Sequence, residues 1–559
     1  MQFFSYRDVE KQITWDSFGY YLYLPAVLIH QDPALTGDWL DEVYETYQPS
    51  DTRYQLIHVK DDRQMIKYSS GLAVSLLPGF LVGHLIASVS DAPADGFSAP
   101  YAYAVTLWAC LLIALGVMLF MRFVTRIFDP TIALITTLGL VLGTNFALST
   151  IFSPLMTHGI LFTGYASLLY LTERWYRESK VRDLYLLAGV FGLMCLIRPT
   201  EIIALIIPLF WAGNPFKKGG FFTQFKAMGR RPMILSISLV VLIAFIQIGY
   251  WWVVSGKPIY YSYDNAGEGL DLASPYIWES LFSFRKGWWL YSPLCLVAFI
   301  GLFFLRGDLK KQRVGLILFT LLNIRIIASW TTWWYAASFG QRPYVQSYPL
   351  LFLGLAALIY LTRKRRWGMI TIVSVLSLFS IFQSWQFLEG ILPDDRITKK
   401  FYLEHFLATE TIPGSDRWLL VKRDGEGEKN WMYREDYIQV YDTTLVVNAF
   451  SKEDEFVLSW KGYPDEIFDS DHAWFEVEVE TSSLEGVYLV AYMALHKDRA
   501  YHWRSERIQS ESQTFEFLSP HFRSDDDPLH IQLWNPDGAS AEKVLIHIQA
   551  HVRNEKEFN

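Results

Sequence analysis

Ten apolar stretches, joined by connections of which every second one carries a cluster of Lys and Arg, constrain this chain more than any other feature. A hydrocarbon layer about 30 Å thick is crossed by about 20 mostly apolar helical residues. Stretches of that character lie at 101–121, 131–150, 158–172, 183–197, 200–213, 233–254, 289–305, 314–330, 344–362 and 367–388. The basic clusters are Arg122/Arg126, then Arg174 to Arg182, then Lys217 to Arg231, then Arg306 to Arg313, then Arg363 to Arg366. Positive loops stay in the cytoplasm, so these five connections are expected there. The connections 151–157, 198–199, 255–288 and 331–343 then face outward, together with residues 1–100 and everything after 388.

Two stretches need a decision. Residues 183–213 are long enough for one helix, but basic clusters on both flanks require two crossings. Pro199 supplies the break, because it removes a helical donor and disfavours helix at Arg198. Residues 70–89 are also long enough to span, yet a crossing there would put all five basic clusters outside. Gly71, Pro78, Gly79, Gly83 and His84 suit a helix lying at the interface or re-entering the membrane, on the outer face. Residues 1–67 hold no span, and MQFFSYRDVE lacks the apolar core of a signal peptide. A membrane helix preceding Met1 is expected; export of this segment by the first span is the alternative.

The overall net charge of −8 hides two modules. Residues 389–559 carry 34 acids and 18 bases, a net of −16, leaving 23 acids and 31 bases, a net of +8, in residues 1–388. A basic membrane half suits a lipid or phosphate ligand, and neither half suits nucleic acid. Within 389–559, segments such as YIQVYDTTLVV, EFVLSW, AWFEVEVE, GVYLVAYMAL, QTFEFL, PLHIQLW and KVLIHIQAHV are short, β-branched or aromatic, and often alternating. WLLVKR is read the same way. These predict an extracytoplasmic all-β domain, a sandwich or jelly roll. Cys110, Cys195 and Cys295 all sit in apolar stretches without ligand spacing, and read as small buried hydrophobes.

The expected topology brings few polar groups together on the outer side. Asp16 stands among Trp15, Phe18, Tyr20, Tyr21 and Tyr23, and Lys67 with Tyr68 opens the interfacial stretch. His158 begins a span, and Arg198 and Glu201 flank the Pro199 turn. Arg285 and Lys286 precede WWLYSP, and Arg342 follows WWYAASFG. Cations gathered at a membrane rim opposite one carboxylate suit a lipid phosphate and a base. Each has a plainer reading. Asp16 can cap a helix, Lys67, Arg285 and Lys286 can anchor to headgroups, and Arg198 can pair with Glu201. Trp251/Trp252, Trp288/Trp289 and Trp333/Trp334 fall at outer span ends, where an aromatic belt belongs. One or two of them, Trp333 among these, can stack on a sugar.

WDSFGYYLYLP, KYSSGLAVSLLPGFLVGH, SPLMTHGILF, LIRPTEIIALIIPLF, SFRKGWWLYSPL and WWYAASFGQRPYVQSYPL follow in the order seen in GT-C membrane glycosyltransferases. More narrowly, residues 1–388 resemble the bacterial family 39-like, dolichyl-phosphate-mannosyltransferase-like enzymes. The resemblance implies a polyprenyl-phosphate sugar as donor and an essential acid in the first outer loop. Asp16 matches that acid and would be the general base. Lys67 corresponds to the Lys of the KPP-like motif of lipid-A aminoarabinose transferases, although Ser69 and Ser70 stand where prolines are usual. Arg342 lies in an SFG-x-R pattern similar to the family's last outer loop. Lys67 and Arg342, with Arg285 and Lys286, would hold the donor phosphate. His158 stands where related enzymes place a second acid. Tyr20, Tyr21, Tyr68, His158, Arg198, Asp264 and Trp333 are expected substrate-binding residues. No metal-ligand cluster or nucleotide-phosphate loop appears, so no metal, cofactor or nucleotide sugar is expected.

The expectation is therefore an inverting glycosyltransferase of the bacterial cytoplasmic membrane, whose β domain faces the periplasm. It would move a sugar from the lipid carrier to a hydroxyl of a glycan, lipid or protein. Two alternatives stand beside it: a lipid-linked sugar flippase, and an anchor displaying a carbohydrate-binding sandwich. A flippase often has inverted repeats, and none is seen. An anchor needs no cations opposite Asp16.

Overall fold

A computed structural model describes residues 8–50, 52–60, 62–263, 269–420, 437–450, 456–463, 473–481, 487–495, 499–518, 528–535 and 541–553. The chain forms two compact units, 1–264 with 268–395, and 265–267 with 396–559. The division falls at Asp395/Arg396, slightly beyond the expected boundary at 388.

The first unit opens with three short helices, α1 (Trp15–Tyr21), α2 (Tyr23–Leu28) and α3 (Trp39–Tyr47), and a hairpin of β1 (Leu56–Lys60) and β2 (Arg63–Ile66). Then follow α4 (Gly71–Ser88), α5 (Ala99–Val124), α6 (Pro130–Leu142), α7 (Phe146–Thr150), α8 (Thr157–Glu178) and α9 (Val181–Ile197). A 3₁₀ turn over Pro199–Leu205 leads into α10 (Ile206–Phe210), α11 (Phe221–Ala227) and α12 (Arg230–Ser255). The unit continues with α13 (Ile277–Phe282), α14 (Trp288–Tyr291), α15 (Pro293–Leu302), α16 (Arg313–Ala328), α17 (Tyr348–Leu361) and α18 (Arg366–Leu388).

Each apolar stretch of the sequence is thus helical, with two refinements. Residues 131–150 break at Gly143 into α6 and α7, and the 289–305 stretch breaks at Ser292, where Pro293 starts α15. Among the described residues, five helical stretches are long and apolar enough to cross a membrane: Gly71–Ser88, Ala99–Val124, Arg230–Ser255, Arg342–Leu361 and Trp367–Leu388. Four belong to the expected ten, whose other members are shorter or more polar. The fifth is α4, expected at the interface. It stays one helix through Pro78 and packs antiparallel on the start of α5. Gly79 meets Val105, Gly83 meets Tyr101, and the Trp108 indole donates to the Ser75 carbonyl at 2.9 Å.

Burial separates the centre of the bundle from its rim. The Arg342–Leu361 stretch is 83% buried, whereas Arg230–Ser255 and Trp367–Leu388 are each 17% buried and expose apolar faces. The backbones of α15 and α17 touch where Gly301 meets Gly354 and Gly354 meets Ala298, the close approach that small residues permit between packed helices.

The five basic connections gather at one end of the bundle. Arg126 pairs with Glu173, Arg174 pairs with Asp183 at 2.8 Å, and Gln224 donates to Ser179 at 2.6 Å. Phe123 packs on Trp211, Gly213 lies beside Lys311, and Phe128 packs on Tyr360. The alternation read in the sequence is therefore an alternation of bundle ends. Of the expected belt tryptophans, Trp252 is exposed, but Trp288, Trp333 and Trp334 are buried in the protein. Trp288 stacks on Tyr344 at 4.0 Å, a packing role rather than a lipid contact.

The second unit begins with α19 (Lys399–Glu404) and a 3₁₀ turn at Ser415–Trp418. Trp418 to Leu420 of the WLLVKR segment form no strand, and the rest of it lies outside the described residues. Eight strands follow: β3 (Tyr437–Phe450), β4 (Phe456–Gly462), β5 (Trp474–Thr481), β6 (Tyr488–Leu495), β7 (Arg499–Arg507), β8 (Ser512–Leu518), β9 (Leu529–Trp534) and β10 (Ala541–Arg553). They form two antiparallel sheets, ordered β3-β10-β5-β8 and β4-β9-β6-β7. Alternate residues of both, among them Phe475, Val477, Leu489, Ile531, Ile546 and Ile548, share one buried core. Two four-stranded sheets in this order are a jelly-roll sandwich. Strand β7, RAYHWRSER, was not expected. It pairs only with β6, and its charges suit an edge strand.

Candidate functional site

Seven of the expected residues line one cavity of about 760 Å³ in the first unit: Asp16, Tyr20, Lys67, Tyr68, His158, Arg198 and Arg342. They come from the start of α1, the turn before α4, the start of α8, the turn after α9 and the turn before α17.

Asp16 sits in the first turn of α1, but it caps nothing. Thr14 holds the N-cap position without a side-chain bond. The Asp16 Oδ1 instead accepts from the Tyr54 hydroxyl at 2.8 Å and the Tyr68 hydroxyl at 2.7 Å, and Oδ2 accepts from Arg342 Nη2 at 3.0 Å. Burial alone pushes this carboxyl up. The Arg342 charge, the two phenol bonds and the Lys67 charge outweigh it and hold Asp16 below the usual carboxylate value. Its side chain keeps 28% of its exposure, so the ionised oxygens remain reachable.

The local backbone is built to present this group. Trp15 has φ +52°, a left-handed conformation costly for a bulky residue. Its N–H donates to Pro49 at 2.8 Å, and its carbonyl accepts from the buried Gln55 amide at 3.2 Å. Gly19 has no Cβ, and one would strike the Tyr68 ring, so only glycine lets Tyr68 cross α1 to reach Asp16.

Lys67 is 3% exposed. Its ammonium lies over the rings of Tyr54, Tyr68 and Tyr263 at 5.3, 5.6 and 5.6 Å, an aromatic cradle that favours a cation. Ser70 uses its N–H to donate to Gln247 at 2.8 Å. The Tyr20 ring lies 4.2 Å from Tyr68, and Tyr263 meets Trp330 at 5.6 Å. The cavity wall is therefore strongly aromatic.

Arg198 and Glu201 do not pair directly as expected. Gln346 stands between them, accepting from Arg198 at 3.4 Å and donating to Glu201 at 2.6 Å, while the Tyr165 hydroxyl donates to the other Glu201 oxygen. His158 is 1% exposed, and among the described residues neither ring nitrogen has a partner.

Four expected residues lie elsewhere. Arg285 makes two bonds to Asp395, at 2.8 and 2.9 Å, and stacks 3.9 Å above the Trp334 ring. Lys286 is 1% exposed and is held by the carbonyls of Ser338 and Asp394. Both are occupied in fastening the 330–340 loop, so the expected phosphate role does not fit them. Tyr21 donates to the Gly96 carbonyl and packs on Phe80. Trp333 lies beside Tyr276, outside the cavity lining. Asp264 lies outside the described residues.

Tyr54, Tyr263, Tyr335 and Gln346 also line the cavity and were not singled out. Tyr335 and Ala336 have φ +53° and +52°, backbone strain that sequence composition does not announce. Among the described residues no group of His, Cys, Asp and Glu could hold a metal ion. A scan against known protein families matches no family model, and a search of curated proteins finds no match.

Proposed function

We propose that this protein is an inverting glycosyltransferase that takes its sugar from a polyprenyl-phosphate carrier, with Asp16 as the base. The supporting observation is the junction of one ionised carboxylate with Arg342 and Lys67 in a cavity walled by tyrosines. An acceptor hydroxyl beside Asp16 would attack the anomeric carbon and lose its proton to the carboxylate. The bond from that carbon to the phosphate oxygen breaks, and polyprenyl phosphate leaves with the electron pair. Arg342 and Lys67 would stabilise the charge growing on the phosphate. Tyr54 and Tyr68 would hold the Asp16 carboxylate in place between turnovers. Aromatic faces of Tyr20, Tyr263 and Trp330 suit both the sugar ring and the first isoprene units.

The cavity lies at the bundle end opposite the basic connections. With the positive-inside rule, this favours a reaction on the outer face of a bacterial cytoplasmic membrane, with the jelly roll on that side. The acceptor would be a glycan, lipid or protein hydroxyl. Purified protein in detergent, given polyprenyl-phosphate sugars and a mixed extract of envelope acceptors, should release polyprenyl phosphate and form a new glycoside. Release by wild type and none by Asp16→Asn supports the reading. A protein that moves the carrier across vesicles without consuming it would be a flippase instead.

A further inference from the structure

Asp16, Lys67 and Arg342 account for a proton and a phosphate, but the same cavity holds a second polar group. It consists of His158, Arg198, Glu201 and Gln346. Glu201 and His158 are 2% and 1% exposed, so the group lies in the protected part of the cavity. The Arg198 and Glu201 charges answer each other through Gln346, and the Arg342 charge is answered by Asp16. Within this second group, what remains is hydrogen-bonding capacity without an excess of either sign; the Lys67 charge sits over Tyr54, Tyr68 and Tyr263 in the same cavity. Arg198 has five N–H groups, and Gln346 takes one of them, at a long 3.4 Å. His158 brings two ring nitrogens, neither with a partner among the described residues. Leaving such groups unpaired when buried is costly, so the arrangement is suited to a ligand that supplies the missing partners.

We propose that His158, Arg198, Glu201 and Gln346 form the sugar-ring subsite, and that the transferred sugar is uncharged and read through its hydroxyl groups. This inference rests on the glycosyltransferase reading above. A hydroxyl donates and accepts, matching an imidazole with one donor and one acceptor. A uronate carboxylate would meet Glu201 without a spare cation in the subsite, and an ammonium sugar would meet Arg198. A site built for buried hydrogen bonds discriminates strongly against a ligand that leaves them unmade.

Binding can be measured apart from turnover in the Asp16→Asn protein, by calorimetric titration in detergent. The probes are bare decaprenyl phosphate and decaprenyl phosphate carrying glucose, mannose, galactose, glucuronate or glucosamine. At least one neutral hexose should raise affinity about tenfold or more over the bare carrier. His158→Ala and Glu201→Gln, added singly, should each erase most of that gain and leave the affinity for bare carrier unchanged. Paired melting curves identify a variant that has lost its fold, and the other then carries the test. Bare carrier that binds while no neutral hexose adds affinity overturns the subsite alone. Tighter binding of the glucuronate or glucosamine carrier than of every neutral one overturns it too. Bare carrier that does not bind overturns the donor-site reading, and the subsite with it.

Discussion

Arg342 donates from Nη2 to Asp16 Oδ2 at 3.0 Å, joining side chains 326 positions apart in the chain. The contact ties the first turn of α1 to the turn that opens α17. It also gives one residue two duties. Arg342 keeps Asp16 ionised, and in the proposed reaction it faces the donor phosphate.

Asp16→Asn preserves the shape of the side chain and removes the base. Transfer should fall about 10²–10⁴-fold, measured as polyprenyl phosphate released by purified protein. The melting temperature should fall modestly: the amide oxygen still accepts from Tyr54 and Tyr68, but its NH2 cannot accept from Arg342.

Arg342→Lys should not restore what Arg342→Gln removes. A lysine point charge does not reproduce the planar fork that spans carboxylate and phosphate. The comparison is of kcat/KM for the two variants, and near-wild-type values for the lysine variant would make Arg342 a simple counter-charge.

The pH dependence has a definite sign. Asp16 is held below its ordinary value despite burial, chiefly by Arg342 and then by the two phenols. Its proton-accepting form therefore persists as the solution is acidified, and the acid limb of kcat/KM should lie below the ordinary carboxylate range. The stability contributed by its ionised contacts is present above the unfolded pKa and disappears as pH falls through the folded one. In Arg342→Gln the acid limb should move upward.

Lys286 should behave as a structural group. Burial lowers its ammonium to about 8 from an ordinary 10.5, against the opposing pull of Asp395 and Asp394. The unfolded chain then holds this proton more tightly than the folded one, so folded stability rises between pH 8 and 10.5. Lys286→Met should abolish that rise. It also strands the carbonyls of Ser338 and Asp394, at a cost of about 1–3 kcal/mol each. Thermal melts across the pH range read both effects.

The α15–α17 contact offers a packing test. A methyl group at Gly354 collides with the Ala298 carbonyl, whereas one at Gly368 meets nothing within 4 Å. Gly354→Ala should destabilise by about 1–3 kcal/mol, and Gly368→Ala should not.

The parts of this structure legible in the sequence are those written in periodicity. Apolar runs bounded by basic clusters became helices whose basic ends meet, and alternating runs became seven of the eight sandwich strands. β7 escaped because RAYHWRSER is an edge strand with few apolar positions. The β1–β2 hairpin escaped because its short strands flank charged residues. Asp16, Lys67 and Arg342 were legible because each charge stood out against apolar or aromatic neighbours. Arg285 and Lys286 looked the same in sequence. Their true partners, Asp395 and the carbonyls of Ser338 and Asp394, are set by tertiary approach. Tyr54 and Tyr263 were hidden for the opposite reason: the chain has 32 tyrosines, so none is conspicuous until its hydroxyl or ring is placed.

The proposed chemical work of Asp16 on a lipid-linked sugar can be followed by mass spectrometry of envelope glycans, glycolipids and glycoproteins from cells making either the wild-type protein or Asp16→Asn at equal membrane levels. One sugar should be present on its acceptor with the wild type and missing with the variant, with the polyprenyl-phosphate form of that sugar accumulating. Identical profiles from the two cell lines would contradict it.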